Sequence, residues 1–98
     1  MILYFHIPLE KMQTWLAADI GAPGAQIELD HDVLVKAAIK RLFEKSGLNG
    51  DRTMLLVKEA TAEYDGKQRY ISIKLEGEGE EYEKASQLIG LLSVAPSN

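Results

Sequence analysis

The sequence predicts a single small α/β (α+β) domain, in which a mixed sheet of four strands carries three helices in the order β-α-β-α-β-β-α. Its 98 residues suit one domain and not two. Apolar residues make up 46% of the chain and charged residues 27%, which is typical of a packed core with a solvated surface. Apolar residues recur with the period of strands in some segments and of helices in others. We expect residues 1–98 to form this domain, with a frayed tail at 95–98.

The first predicted strand covers Ile2 to Ile7, a run of β-branched, aromatic and long apolar residues interrupted only by His6. Because the run does not alternate with polar residues, we expect both of its faces to be covered and the strand to lie in the middle of the sheet. Pro8 ends the strand and suits the first turn of a helix. That helix is predicted over 9–20, with Gly21 in the left-handed conformation that closes a helix.

A short alternation of apolar and polar residues over 25–29 predicts a second strand. If this segment is a loop instead, the sheet has three strands with all helices on one face. Asp30 or Asp32 is expected to cap the next helix, since an aspartate accepts backbone N–H groups and complements the helix dipole. This helix is predicted over 33–43, where apolar residues cover more than half of the circumference, and Gly47 closes it.

Two β-rich runs, 53–63 and 68–76, flank an Asp-Gly pair at 65–66 and predict a hairpin. Loops of two and of three residues both give acceptable cross-strand pairs, so the register stays open. The second run alternates apolar and polar residues, which indicates one dry and one solvated face. The third helix is predicted over 80–94, where apolar residues form a stripe at helical spacing.

This order of elements resembles that of thioredoxin-like domains, in topology only. The chain has no cysteine and no proline at the start of the third strand, so the resemblance implies no redox chemistry. The lack of cysteine also excludes a disulfide scaffold, a thiol nucleophile and a zinc–thiolate site. The longest apolar run is far shorter than the roughly 20 residues of a membrane span. We expect a cytoplasmic protein without a membrane partner.

The two histidines, His6 and His31, complete no catalytic triad at local spacing. His31 lies between Asp30 and Asp32, but three consecutive side chains rarely converge on one ion, so we predict no metal and no cofactor. Catalysis is less expected than binding. One ligand-binding hypothesis stays open, in which His6, Asp30 and His31 share a rim at the carboxyl ends of two neighbouring strands.

Residues 76–83 form an acidic segment that contains five glutamates and no basic residue, in a chain of net charge −4. Part of this charge complements the start of the third helix, and the rest predicts a patch that binds a basic partner. The Gly-x-Gly pattern in this segment predicts no phosphate site, because carboxylates flank it. Nucleic-acid binding is not expected of an acidic chain. The glutamates are Glu76, Glu78, Glu80, Glu81 and Glu83.

Three functions are compatible with these features. The first is a non-catalytic protein-interaction or regulatory domain that forms a homo-oligomer, since a domain of this size is marginally stable and its first strand requires cover on both faces. The second is an acidic inhibitor or immunity-type protein whose glutamates bind a basic cleft on a target enzyme. The third is a small-ligand binder or enzyme that uses the rim near His6 and His31.

Overall fold

A computed structural model describes residues 1–93. Within these residues the α+β class is confirmed, with three strands and four helices rather than the predicted four and three. The tail predicted to fray at 95–98, and Val94 at the end of the last predicted helix, lie outside the described residues. The elements are β1 (Ile2–Pro8), α1 (Leu9–Asp19), α2 (Asp32–Lys45), α3 (Gly50–Met54), β2 (Val57–Tyr64), β3 (Arg69–Glu76) and α4 (Glu80–Leu92).

The sheet has the strand order β1-β3-β2, and both neighbouring pairs are antiparallel. β1 and β2 are therefore parallel to each other with β3 between them, which is a split β-α-β arrangement. The predicted central position of β1 is wrong: among residues 1–93 it pairs with β3 alone and forms one edge of the sheet. An apolar run indicates that a strand needs cover, but it does not say whether the same chain provides it.

The strand predicted at 25–29 is not formed, and the sheet is antiparallel rather than mixed. The alternation instead marks a loop whose apolar side chains point inward, since Leu29 is buried and Ile27 packs against the core. The side-chain amide of Gln13 in α1 donates to the Ile27 carbonyl oxygen at 2.7 Å and fixes this loop. Without that strand, the thioredoxin-like order is not realised.

The expected aspartate cap of α2 is also absent. His31 occupies the N-cap position, and its side chain makes no capping hydrogen bond. Asp32 is the first helical residue, so its charge still lies at the positive end of the helix dipole. The hydrogen-bonding part of the prediction therefore fails, and the electrostatic part holds.

The start of the predicted strand 53–63 is helical. Asn49 Oδ1 accepts the Arg52 N–H at 3.0 Å and caps α3, a helix of five residues. So short a helix leaves no periodic signal in the sequence. β2 then begins at Val57, with an irregular register between Val57 and Glu59. In the hairpin, Tyr64 pairs with Arg69, and the Asp65 N–H donates to the Gln68 carbonyl oxygen at 3.2 Å. Two residues, Gly66 and Lys67, remain at the tip, which matches the shorter of the two loops that the sequence allowed.

The three longer helices are confirmed within residues 1–93, as are the glycine ends of the first two. Gly21 and Gly47 have φ values of +79° and +88° just after α1 and α2. After α2, the Leu48 N–H donates to the Phe43 carbonyl oxygen at 3.0 Å, which closes the helix as the glycine predicts. These ends depend on residues close in sequence, and so the sequence predicts them well.

All core side chains lie between the sheet and the helices. In β3, Ile71, Ile73 and Leu75 are fully buried against the helices, whereas Tyr70, Ser72 and Lys74 alternate with them and are partly exposed. The helices therefore cover one face of the sheet, as expected if 25–29 is a loop. No helix within residues 1–93 has both the length and the apolar character to cross a membrane.

Candidate functional site

The side chains that point away from the helices form the open sheet face, the surface defined by three rows across the strands. The antiparallel registers fix these rows, because residues paired on neighbouring strands lie side by side. From β1 through β3 to β2, the rows are Tyr4, Lys74 and Glu59; His6, Ser72 and Thr61; and Pro8, Tyr70 and Glu63.

The row nearest the hairpin is held by hydrogen bonds to one carboxylate. The Tyr70 hydroxyl donates to Glu63 Oε2 at 2.8 Å, and the Thr61 hydroxyl donates to Glu63 Oε1 at 3.2 Å. The bond to the Glu63 carboxylate favours the protonated phenol and raises the pKa of Tyr70 above its usual value. The His6 ring packs against the Tyr70 ring, with 4.9 Å between ring centroids. This part of the face is therefore polar and well positioned.

The β1 margin of the open sheet face is apolar. Tyr4 is 67% exposed and Ile2 is 45% exposed, although both belong to regular strand. On the helix side of the same strand, Leu3 and Phe5 are only half-buried, whereas their β3 partners are fully buried. The helices thus leave β1 incompletely covered on both faces. The sequence alone does not predict this exposed margin, because Tyr4 lies within the apolar run Ile2 to Ile7, which is typical of a buried strand.

The structure places the predicted ligand residues in two separate regions. His6 lies on the open sheet face beside a shallow concavity of about 280 Å³ formed with Pro8, Asp65, Gln68 and Tyr70. Asp30 and His31 lie in the loop that precedes α2, where His31 Nε2 and Asp30 Oδ1 are 3.9 Å apart and exposed. None of the concavities described for residues 1–93 is lined by both histidines. Within the same range, no three His, Asp or Glu side chains converge as metal ligands.

In the acidic segment, Glu80 and Glu81 contact other residues of the chain, whereas Glu78 and Glu83 are exposed. Glu81 accepts a hydrogen bond from the buried Thr53 hydroxyl at 3.3 Å, and it pairs with Arg52 at 3.4 Å. Glu80 pairs with Lys84 one turn along α4 at 3.3 Å. The other glutamates differ in position: Glu76 lies on β3 opposite Ile2, and Glu78 and Glu83 are exposed around the start of α4. Part of the predicted patch thus joins α3 to α4.

Basic residues of α2 are similarly engaged within the chain. Asp19, at the end of α1, contacts Arg41 and lies 3.6 Å from Lys45. The hydrogen bond from Arg41, assisted by the charge of Lys45, lowers the pKa of Asp19 below its usual value. Lys40 pairs with Asp51 at 2.8 Å, and that contact raises the pKa of Lys40. These charges hold α1 and α3 against α2.

Comparison with known proteins finds no matching family model, no matching curated protein and no matching solved structure. The surface chemistry described above is therefore what bears on function.

Proposed function

We propose that this chain is a non-catalytic protein-interaction domain that associates with a second copy of itself through the β1 side of its sheet. One observation carries the proposal: β1 is an apolar strand at the edge of the sheet, and the described helices leave both of its faces partly exposed. Exposed apolar surface on regular structure is typical of an interaction site. A domain of this size also gains stability from association.

The polar contacts of the open sheet face fix the positions of its side chains, as a binding surface requires. Both carboxylate oxygens of Glu63 accept hydrogen bonds from neighbouring hydroxyls. Glu63 thereby holds the Tyr70 ring in place, which suits a surface that must keep its shape.

The alternative of an acidic inhibitor has less support. Glu80 and Glu81 pair with basic residues of the same chain, so less of the charge of the acidic segment is free for a basic target. An inhibitor of that kind would depend on charge, and its binding would weaken steeply with salt. Association through an uncharged strand depends on backbone hydrogen bonds and apolar contact, and it persists at high salt.

Sedimentation velocity of the full chain tests the proposal. We expect the weight-average sedimentation coefficient to rise towards that of a dimer between about 1 μM and 1 mM protein, the range of weak to moderate affinities. The rise should remain in about 1 M NaCl, where the Debye length is only about 3 Å. A strict monomer at every concentration contradicts the proposal. A dimer that dissociates with salt would favour the charged segments instead.

A further inference from the structure

The outer edge of β1 presents the backbone groups of alternate residues. Met1 and Gly77 exchange both backbone hydrogen bonds, at 3.2 Å from the Met1 amine and at 3.1 Å to the Met1 carbonyl oxygen. In an antiparallel ladder, such pairs alternate with pairs that exchange none. Counting along the β1–β3 register, the residues that bond β3 are Leu3, Phe5 and Ile7. The N–H and C=O groups of Ile2, Tyr4 and His6 therefore point away from the sheet.

The two edges of the sheet differ in how they resist pairing with another strand. Natural edge strands are usually protected by charged side chains, bulges or prolines. β2 has such protection: its register is irregular between Val57 and Glu59, and Lys58 is charged and exposed. β1 has a regular register throughout, Ile2 to Ile7 contain no carboxylate, lysine or arginine, and its proline, Pro8, stands at the last position of the strand. Within residues 1–93, Ile2 to Ile7 therefore form the edge segment that is open to another strand.

A second copy of this chain complements the β1 edge. When two β1 strands pair in antiparallel orientation with Tyr4 on the two-fold axis, the half-buried Leu3 of one copy lies opposite Phe5 of the other, and the contact occurs twice by symmetry. These residues form non-hydrogen-bonded pairs, in which side chains approach most closely. The chain carries a net charge of −4 and two copies repel each other in general, but the β1 edge brings no carboxylates together. Self-pairing is thus available along β1, whose outward residues Ile2, Tyr4 and His6 include no carboxylate, lysine or arginine.

Pro8 selects the register. With Tyr4 on the two-fold axis, Tyr4 pairs with itself and Ile2 pairs with His6 of the second copy, which satisfies every outward backbone group of these residues. With Phe5 on the axis, Ile2 would lie opposite Pro8, which has no N–H to donate. With Leu3 on the axis, the outward groups of His6 would extend past the start of the partner strand and stay unpaired.

We infer that two copies pair their β1 strands in antiparallel orientation with Tyr4 on the two-fold axis, forming one continuous sheet of six strands, three from each copy. The inference rests on the proposed self-association and gives its geometry. All helices then lie on one side of the joined sheet, and the two open sheet faces merge on the other. The two Tyr4 side chains meet at its centre, each beside a Lys74.

Single cysteines test the register, because the chain has none of its own. In the inferred dimer, the Cα atoms of the two Tyr4 residues are about 5.5 Å apart. This separation lies within the range of about 4.4 to 6.8 Å that a disulfide requires. Tyr4→Cys should therefore form a disulfide dimer readily under mild oxidation. Ile2→Cys and His6→Cys alone should not, since like positions are about 13 Å apart along the strand. Mixing Ile2→Cys with His6→Cys should restore the crosslink.

Tyr64→Cys is the matched control, because Tyr64 is 65% exposed and lies on β2 at the other edge of the sheet. All variants replace residues that are not part of the buried core, and circular dichroism checks that they fold. If Tyr4→Cys crosslinks no faster than Tyr64→Cys while sedimentation shows dimers, edge pairing is refuted and self-association stands. If Tyr4→Cys crosslinks preferentially with His6→Cys, the axis lies at Phe5 and the inferred register is wrong. If sedimentation shows monomers only, both proposals fail.

Discussion

A lysine at Tyr4 should separate the stability of the domain from its association. Tyr4 is 67% exposed in the single chain, and its side chain lies on the solvent side of an edge strand. Surface substitutions of this kind usually change the free energy of unfolding by less than about 0.5 kcal/mol. We therefore expect Tyr4→Lys to fold with nearly unchanged stability at low protein concentration.

In the dimer, the same substitution acts at the symmetry axis. It removes the aromatic pair between the two Tyr4 side chains and places two ammonium groups opposite each other, each next to a Lys74. Cross-strand pairs contribute roughly 0.2 to 1 kcal/mol each, and opposed like charges are unfavourable. Losing the attraction and adding the repulsion costs about 1 to 2 kcal/mol per dimer, which corresponds to roughly a 5- to 30-fold weaker association.

Sedimentation equilibrium measures the dissociation constant, and urea unfolding at low concentration measures the stability of the single chain. Tyr64→Lys is the matched control, because it makes the same substitution at an equally exposed tyrosine on the β2 edge. It should leave the dissociation constant unchanged. An unchanged dissociation constant for Tyr4→Lys, or an equal weakening by Tyr64→Lys, would refute the role of the β1 edge.

Three further predictions concern the fold. Ile73→Ala, at a fully buried position in the central strand, should lower the free energy of unfolding in urea by about 2 to 5 kcal/mol, and a loss below about 1 kcal/mol would contradict its place in the core. Gly47→Ala forces a side chain into a φ of +88° and should cost about 1 to 2 kcal/mol, so an unchanged thermal midpoint would argue against that helix end. Asp65 accepts the N–H groups of Gln68 and Lys67, which lowers its pKa below 3.8 in the folded chain. Its contribution is therefore complete above about pH 5 and is lost as the pH falls through the folded pKa. The stability difference between wild type and Asp65→Ala should shrink below about pH 4, and a difference independent of pH would count against this turn.

The helices could be predicted because their signals are local. Each longer helix has an apolar stripe of its own, and Gly21 and Gly47 mark two of the ends within a few residues. The short helix α3 escaped prediction, since five residues are too few for a period to show.

The sheet order depends on contacts that no local pattern encodes. β1 pairs with β3 in a register that joins Ile2 to Glu76, at nearly opposite ends of the chain. The alternation at 25–29 arises because Ile27 and Leu29 pack against the core from a loop, so the segment needs no strand partner. The apolar character of β1 indicates a need for cover, but a partner can supply that cover as well as the same chain, so the pattern does not determine where the strand lies in the sheet.

Of the residues on the open sheet face, the sequence draws attention to His6, which the structure places beside Tyr70. A ligand at His6 stays a prediction. The grouping of His6 with His31 depended on a strand that is not formed. In the sequence, the five glutamates of residues 76–83 form one acidic segment. Local pattern could not show that Glu81 contacts Thr53 of α3, because the two residues are 28 positions apart. Tyr4 could not be distinguished from core residues by its sequence neighbours.

Amide hydrogen exchange of the wild-type chain, followed by NMR at low and high protein concentration, tests edge pairing most directly. At low concentration, the N–H groups of Leu3, Phe5 and Ile7 should be protected by β3, and those of Tyr4 and His6 should exchange rapidly. At concentrations where sedimentation shows dimers, we expect Tyr4 and His6 to become protected as well. If their exchange stays fast while the dimer is populated, the β1 edges do not pair.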